Sequence, residues 1–545
     1  MNIAGYVAKR AEKAPEVLAV RIPNVTGRRI GFRDTTFAEL HCLVAGLAAH
    51  FLEKGVGKGT RTIVLAKPGL ELICGVFAIL RVGAVPVVID PGMGLRSFLS
   101  CVKRSEPEAV FGIPKGLMIS RVFSKSFHRV RARFSTNLIT RTEEADGSRG
   151  FEPADTAPND LAAILFTSGS TGPAKGVCYE HGMFQAQIAA VRERFSIEPG
   201  EVDFPMLPVF ALFNPALGMT TVVPPMNPSR PAKADPGLQI AVMNEAGVTN
   251  SFGSPVLWNL IATEGARSNR SIPSLRRVLA AGAAVSPSLI KKLSPLVPNA
   301  DIYSPYGATE ALPMTAIDGD MILEVAELTE EGKGVCVGSP LDGVNVRIAS
   351  VQEGPMVEEH LQELSPHEIG EIVVSGPMVT REYDRLEEAT RNAKVNAGET
   401  VWHRMGDLGY KDEAGRIWFC GRVAERVTTR EGKAYYPECC EQVFNRHPKV
   451  YRSALVGLGS RNKRVPGIVV QPEKGCFPKN EDEIGNWVVE LKKLGSETPM
   501  TASIRHFFFR KDFPVDIRHN AKIHRLRLAK EYATHGFHPT ELKRE

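Results

Sequence analysis

Up to about residue 420, two hydrophobic periods alternate along the chain. Short aliphatic and β-branched runs such as RTIVLAKPG and AVPVVIDPG read as strands. LELICGVFAILRVG, lying between them, carries its apolar residues at helical spacing. Strand-like runs recur at LAAILFTSG, SLRRVLAAGAA, GVNVRIAS and GEIVVSGP, several of them closing on glycine. The rhythm predicts an α/β protein whose sheets carry ligand-binding loops at their strand ends. After GRIWFCGR, Gly415 to Arg422, the pattern becomes shorter and more charged. We therefore expect a large domain over 1–422 and a compact unit over 423–545.

One segment, MISRVFSKSFHRVRARF from Met118 to Phe134, sets Phe123, Phe127, Val130 and Phe134 at helical spacing among five basic residues. It predicts a basic amphipathic helix. The favoured reading packs the phenylalanines on the core and leaves the arginines solvated. The alternative docks the helix on a membrane or a partner, as peripheral contact.

Composition narrows the classes. In 545 residues, 43% hydrophobic and 23% charged is an ordinary globular balance, and the length calls for more than one domain. A net charge of +6 is too small for a dedicated nucleic-acid binder. Nine cysteines without a CxxC pair argue against zinc and fit a reducing compartment. The adjacent Cys439 and Cys440 read as packing residues, and the tail histidines His535 and His538 as surface. MNIAGYVAKRAEKAPE has no signal-peptide apolar stretch and no run reaches ~18 apolar residues, so a cytoplasmic location is expected.

The strongest chemical signal is ILFTSGSTGPAKG, Ile164 to Gly176, where a strand opens into hydroxyls and glycines ahead of a lysine. Gly169 and Gly172 let backbone N–H groups converge, and Thr167, Ser168, Ser170 and Thr171 add hydroxyl donors. Lys175 adds a point charge. Such a loop suits phosphates. The GxxxxGK[ST] signature is absent from the sequence, so kinase-like or GTPase-like γ-phosphoryl transfer has no support.

This loop resembles the phosphate signature of the acyl-adenylate-forming superfamily, and the other signatures follow in order: YGATE, GEIVVSGP, MGDLGY, Gly421-Arg422 and a late Lys522. The resemblance spans essentially the whole chain. It implies a large N-terminal domain of stacked α/β subdomains and a small mobile α+β lid carrying Lys522. It also implies ATP and Mg²⁺, because a carboxylate must become a mixed anhydride with AMP before it can be attacked. By resemblance, Glu310 holds Mg²⁺ and Thr309 contacts the α-phosphate, neutralising charge between two anions. Tyr306, with Gly307 beside it, would lie against adenine, and Asp407 would accept from the ribose hydroxyls with Arg422 nearby. Lys522 would bridge carboxylate and phosphate oxygens. AAGAAVS, with Gly282 and Ala283, would floor the space between adenine and acyl pocket.

Departures from the general pattern narrow the branch. FPMLPVFALFNPALG has Ala211 where many relatives place histidine, flanked by Phe210 and Phe213, which makes the pocket greasy. Ala424 stands two residues after Arg422, where Asp or Lys is usual, and FPVDIRHNAKI sets Ala521 before Lys522 in place of glycine. Together with YGATEALP and HRMGDLGY these stretches resemble the olefin β-lactone synthetases of bacterial long-chain hydrocarbon biosynthesis. That resemblance implies a 2-alkyl-3-hydroxy long-chain acid as substrate, closed to a β-lactone by its own 3-hydroxyl with release of AMP and diphosphate. His519 is the candidate base for that hydroxyl, by its ordinary pKa of ~6.5, unless with Arg518 it only shapes the loop presenting Lys522. The partners implied are a thiolase-like condensing enzyme, a reductase and a lactone decarboxylase. The alternatives are a long-chain acyl-CoA synthetase and a non-catalytic nucleotide- or lipid-binding member.

Overall fold

The computed structural model describes residues 2–27, 29–139, 152–167, 173–227, 230–460, 464–515 and 522–533. The hydrophobic runs form the expected elements. RTIVL is strand Arg61–Leu65, VPVVI is Val85–Ile89, and the amphipathic stretch between them is helix Leu70–Arg81. They belong to a six-stranded sheet in the order Ala132–Ser135, Ala109–Gly112, Arg61–Leu65, Val85–Ile89, Leu161–Thr167, Lys175–Glu180. The first five strands run parallel and the last is antiparallel. The central strands are buried on both faces, as near-continuous apolar runs dictate.

A fourteen-stranded sheet makes up most of the remainder. Its parallel part joins Thr220–Val222, Val202–Pro205, Asn250–Gly253, Arg277–Ala280 and Asp301–Ala308. From Ala311 to Arg422 its strands pair antiparallel. GVNVRIAS and GEIVVSGP accordingly form neighbouring antiparallel strands, Asn345–Ala349 against Gly370–Ser375. Antiparallel pairing needs no covering crossover helix, and the helical turns in this stretch are short, three to seven residues each.

The segment 118–134 is not one helix. Helix Pro114–Val122 ends before Phe123, turns follow, and Ala132–Ser135 pairs in parallel with Ala109–Gly112. The ladder offers Arg133 and Phe134 backbone partners that a helix extension would forfeit. Phe127 and Phe134 are buried, Arg129 pairs with Glu106, Arg131 with Glu108, and Arg133 Nε donates to Ser120 Oγ at 2.9 Å. The phenylalanines thus serve the core, without helical spacing.

Toward the C-terminus, strands Val450–Leu458, Val465–Pro472 and His506–Phe509 form a three-stranded sheet with its own apolar clusters, around Phe444 and Trp487 and around Phe513 and Leu528. Helix Pro437–Asn445 turns Cys439 toward the large core and Cys440 toward the smaller one, so both are packing residues. Among the described residues, no helix is long and apolar enough to cross a membrane.

Candidate active site

Strands Leu161–Thr167 and Lys175–Glu180 form a hairpin whose register sets Thr167 opposite Lys175. The phosphate-loop residues Ser168, Gly169, Ser170, Thr171 and Gly172 lie in its connection, outside the described residues, as does the side chain of Thr167. Lys175 places its Nζ 4.5 Å from the centre of the Tyr383 ring.

A second connection, between Asp301–Ala308 and Ala311–Asp318, carries Thr309 and Glu310. The register slips between Tyr306 and Ala308, and a Cβ on Gly307 would stand 2.5 Å from the Ala311 carbonyl oxygen, so only glycine fits this crossing. Outside groups hold the turn. Tyr179 donates its hydroxyl to the Thr309 carbonyl, and Thr380 donates to the Glu310 carbonyl from its N–H at 2.9 Å and its hydroxyl at 3.1 Å. The Tyr383 hydroxyl donates to Glu310 Oε1 at 2.7 Å. Burial, with Glu310 beside it, pushes the Tyr383 phenol well up, so it stays protonated as the donor.

Strand pairing sets Asp407 opposite Arg422. The Tyr306 hydroxyl donates to Asp407 Oδ2 at 2.6 Å, while Arg422 Nη1 lies 3.0 Å from Oδ1, an ion pair not aligned as a hydrogen bond. Burial raises Asp407 above the usual carboxylate range despite both neighbours, and Asp407 raises Arg422 in turn. Among the described residues, Asp407 Oδ1 is therefore a buried acceptor without a hydrogen-bond donor.

Lys175, Gly282, Gly307, Thr309, Glu310, Arg422 and Lys522 meet in the wall of one cavity of about 1330 Å³. Tyr306 and Asp407 stand behind that wall, and Ala283 is not among its lining residues. Lys522 arrives from the C-terminal side beside Val423 and Ala424; its predecessor His519 lies outside the described residues. Phe210 and Phe213 line the cavity, with Phe210 stacked on Phe252 at 3.8 Å, whereas Ala211 is buried away from it.

Sequence reasoning missed a polar cluster beneath Glu310. Lys394, nearly fully buried, donates to Thr380 Oγ1 at 3.2 Å, and burial drives its pKa down to about 7. His403, on the wall, sits 3.2 Å from the Ala393 carbonyl with its pKa pushed well down by burial and then by Lys394. Tyr383, Lys394 and His403 stand singly in ordinary-looking stretches, so no spacing marked them.

Residues 7–384 match the AMP-binding enzymes. The chain belongs to the AMP-binding enzyme family. Among its relatives, the olefin beta-lactone synthetase of Xanthomonas campestris pv. campestris is 40% identical over 549 residues, covering 97% of each chain. That of Stenotrophomonas maltophilia is 39% identical over 550 residues with the same coverage. ATP-bound MatB from Rhodopseudomonas palustris shares the fold of this AMP-binding enzyme at TM-score 0.77 and 22% identity, over 98% of this chain and 99% of that one. The AMP-binding enzyme thus has the adenylate-forming fold, a large N-terminal domain followed by a small C-terminal one, and it uses ATP.

Proposed function

We propose that the protein is an ATP-dependent, AMP-forming olefin β-lactone synthetase acting on a 2-alkyl-3-hydroxy long-chain acid. The observation that carries this reading is the cavity, where Lys175, Thr309, Glu310 and Lys522 share a wall with a mostly apolar remainder. The near full-length similarity to proteins of that name supports it. The volume exceeds the ~300–1,000 Å³ of ordinary small-molecule sites, as ATP together with a large acid requires.

The substrate carboxylate attacks the α-phosphorus and expels diphosphate. Lys175 and Lys522 offset the charge of two approaching anions. The Asp407 Oδ1 acceptor takes a ribose hydroxyl, and Tyr306 and Arg422 hold that carboxylate in place. Thr309 contacts the α-phosphate from its clamped turn. The residues fit Mg²⁺: Glu310, a carboxylate on the cavity wall whose Oε1 accepts from Tyr383, would hold it. When bound, Mg²⁺ neutralises phosphate charge.

The 3-hydroxyl then attacks the acyl carbon, and AMP leaves. This step is intramolecular, so it gains effective molarity against ring strain and needs no thiol. His519 is assigned the hydroxyl proton. We divide the chain at 422/423 and make the second unit the lid that delivers Lys522. We place the reaction in the cytoplasm, which fits nine cysteines that form no disulfide among the described residues. Neighbouring steps fall to a condensing enzyme, a reductase and a lactone decarboxylase.

The test is incubation with MgATP and a racemic 2-alkyl-3-hydroxy long-chain acid without coenzyme A, followed by proton NMR at ambient temperature. β-Lactone ring protons with stoichiometric AMP are expected. Turnover only on adding coenzyme A would make the protein an acyl-CoA synthetase. Lys522→Ala should abolish diphosphate release while ATP still binds; an unchanged release rate would remove that lysine from the mechanism.

A further inference from the structure

The apolar part of the cavity does not lie on one side of the six-stranded sheet. Successive residues of a strand project to opposite faces. Yet Val64 and Leu65, Val88 and Ile89, and Leu165 and Phe166 all line the same space. The cavity therefore wraps around the ends of three adjacent strands and reaches onto both faces.

The two faces differ. On the first, Leu72, Val76 and Leu80 form a stripe along helix Leu70–Arg81, with Phe77 beside it. From Leu72 to Leu80 this stripe runs ~12 Å at the helical rise of 1.5 Å per residue. Its far end is shut by Leu80 and Ile3, which are buried. On the second face the wall is Leu95 and Phe98 from helix Leu95–Ser105, with Ile113 and Ile119 around helix Pro114–Val122. Here Leu95 is 50% exposed, so this branch opens to solvent. Its polar groups are Lys115, which is exposed, and Asp90, whose carboxylate already accepts from the Gly92 N–H at 2.9 Å. Neither offers a buried charge to a polar ligand.

We infer that the two branches are separate hydrocarbon arms, one for each chain of a two-chain acid, with a closed arm along helix Leu70–Arg81 and an open arm between Phe98 and Ile119. This rests on the proposed function, because only an acid branched at C2 and C3 has two long chains to place. A chain in a closed arm is measured by its end wall, since surplus methylenes have nowhere to go. A chain in an open arm is not, since its surplus can project past Leu95. The enzyme should therefore set a sharp upper limit on one chain and accept the other over a wide range.

The test uses the full-length enzyme with MgATP and a matrix of 2-alkyl-3-hydroxy acids in which the two chains are lengthened independently. Diphosphate release and β-lactone are both measured. Val76→Phe should shorten the limit on one chain, with a loss of about tenfold or more in kcat/KM per excluded length class, and leave the other chain's profile unchanged. Ile119→Trp, at a half-buried position, should instead raise KM for acids whose second chain is long, leaving the first chain's limit in place. A single shared length limit, or both variants acting on the same chain, would overturn the two-arm assignment while leaving lactone synthesis intact. Absence of diphosphate release from every two-chain acid, with release from single-chain acids, would overturn the proposed function and the arms with it.

Discussion

Replacing Arg525 by methionine tests how Lys522 is held. Arg525 opens the helix Arg525–Ala533, three residues beyond Lys522, and the segment between is pinned by a bridge from Val515 to Ile523. Its guanidinium gives Glu441 a fork, Nε to Oε1 at 2.7 Å and Nη2 to Oε2 at 2.6 Å. It also reaches Glu425 Oε2 at 3.1 Å and Glu438 Oε1 at 3.2 Å. Glu425 lies just past Arg422, so one cation ties the Lys522 segment to the chain leaving the large sheet. All four side chains are largely buried. Removing one partner of a buried ionic group costs about 3–5 kcal/mol. Burial already pushes Glu441 up to about 7 against the pull of Arg525. Without the guanidinium it can take up a proton, which puts the cost near the lower end. A raised carboxyl pKa makes the folded state bind more protons than the unfolded one, so stability falls as pH rises from the ordinary glutamate value through the raised one. The variant's deficit should therefore be larger at pH 8 than at pH 5.5. With a urea m-value of about 2 kcal/mol/M, a loss of about 3 kcal/mol lowers the midpoint by about 1.5 M. Trp487, buried in the same small core, reports this in fluorescence. Diphosphate release should fall in parallel, and Arg525→Lys, which keeps charge but loses the fork, should lie between. An unchanged midpoint, or a deficit independent of pH, would refute the reasoning.

Tyr383→Phe removes a hydrogen bond to a carboxylate, worth about 1.5–3 kcal/mol; the Mg²⁺ concentration for half-maximal diphosphate release should rise roughly tenfold or more, with the fold unchanged by circular dichroism. Gly307→Ala should abolish adenylation, because its Cβ would meet the Ala311 carbonyl oxygen at 2.5 Å and displace Thr309 and Glu310; nucleotide-dependent diphosphate exchange reads the loss. Lys394, held down to about 7, leaves the unfolded state binding the extra proton from there up to the ordinary lysine value, so wild-type stability should rise with pH in that window. Lys394→Met should flatten that slope in urea titrations at pH 6.5 to 9.5.

The α/β elements around the phosphate loop were legible because local periodicity and the glycine-lysine spacing of ILFTSGSTGPAKG act over a few residues. The ordered motifs likewise named Lys175, Glu310, Asp407, Arg422 and Lys522, since each sits in a connection or strand whose chemistry is written locally. Pairing direction beyond Ala311 and the end of the helix at Val122 were not legible, because both depend on which backbone is available as a partner. Residues 118–134 show this well: of the phenylalanines at helical spacing, Phe127 is buried from a turn and Phe134 from a strand.

The amino-acid sequence by itself determined the family chemistry, a carboxylate activated on ATP, because that chemistry resides in short stretches with fixed residue types. Only the tertiary structure decided that Tyr383 and Thr380 brace Glu310, that Lys394 is buried beneath it, and that the apolar cavity reaches both faces of a sheet. The hydrogen bonds join residues up to 73 positions apart, and the cavity gathers residues from Ile3 to Lys522. Their energies come from burial and convergence in space, which no local pattern encodes.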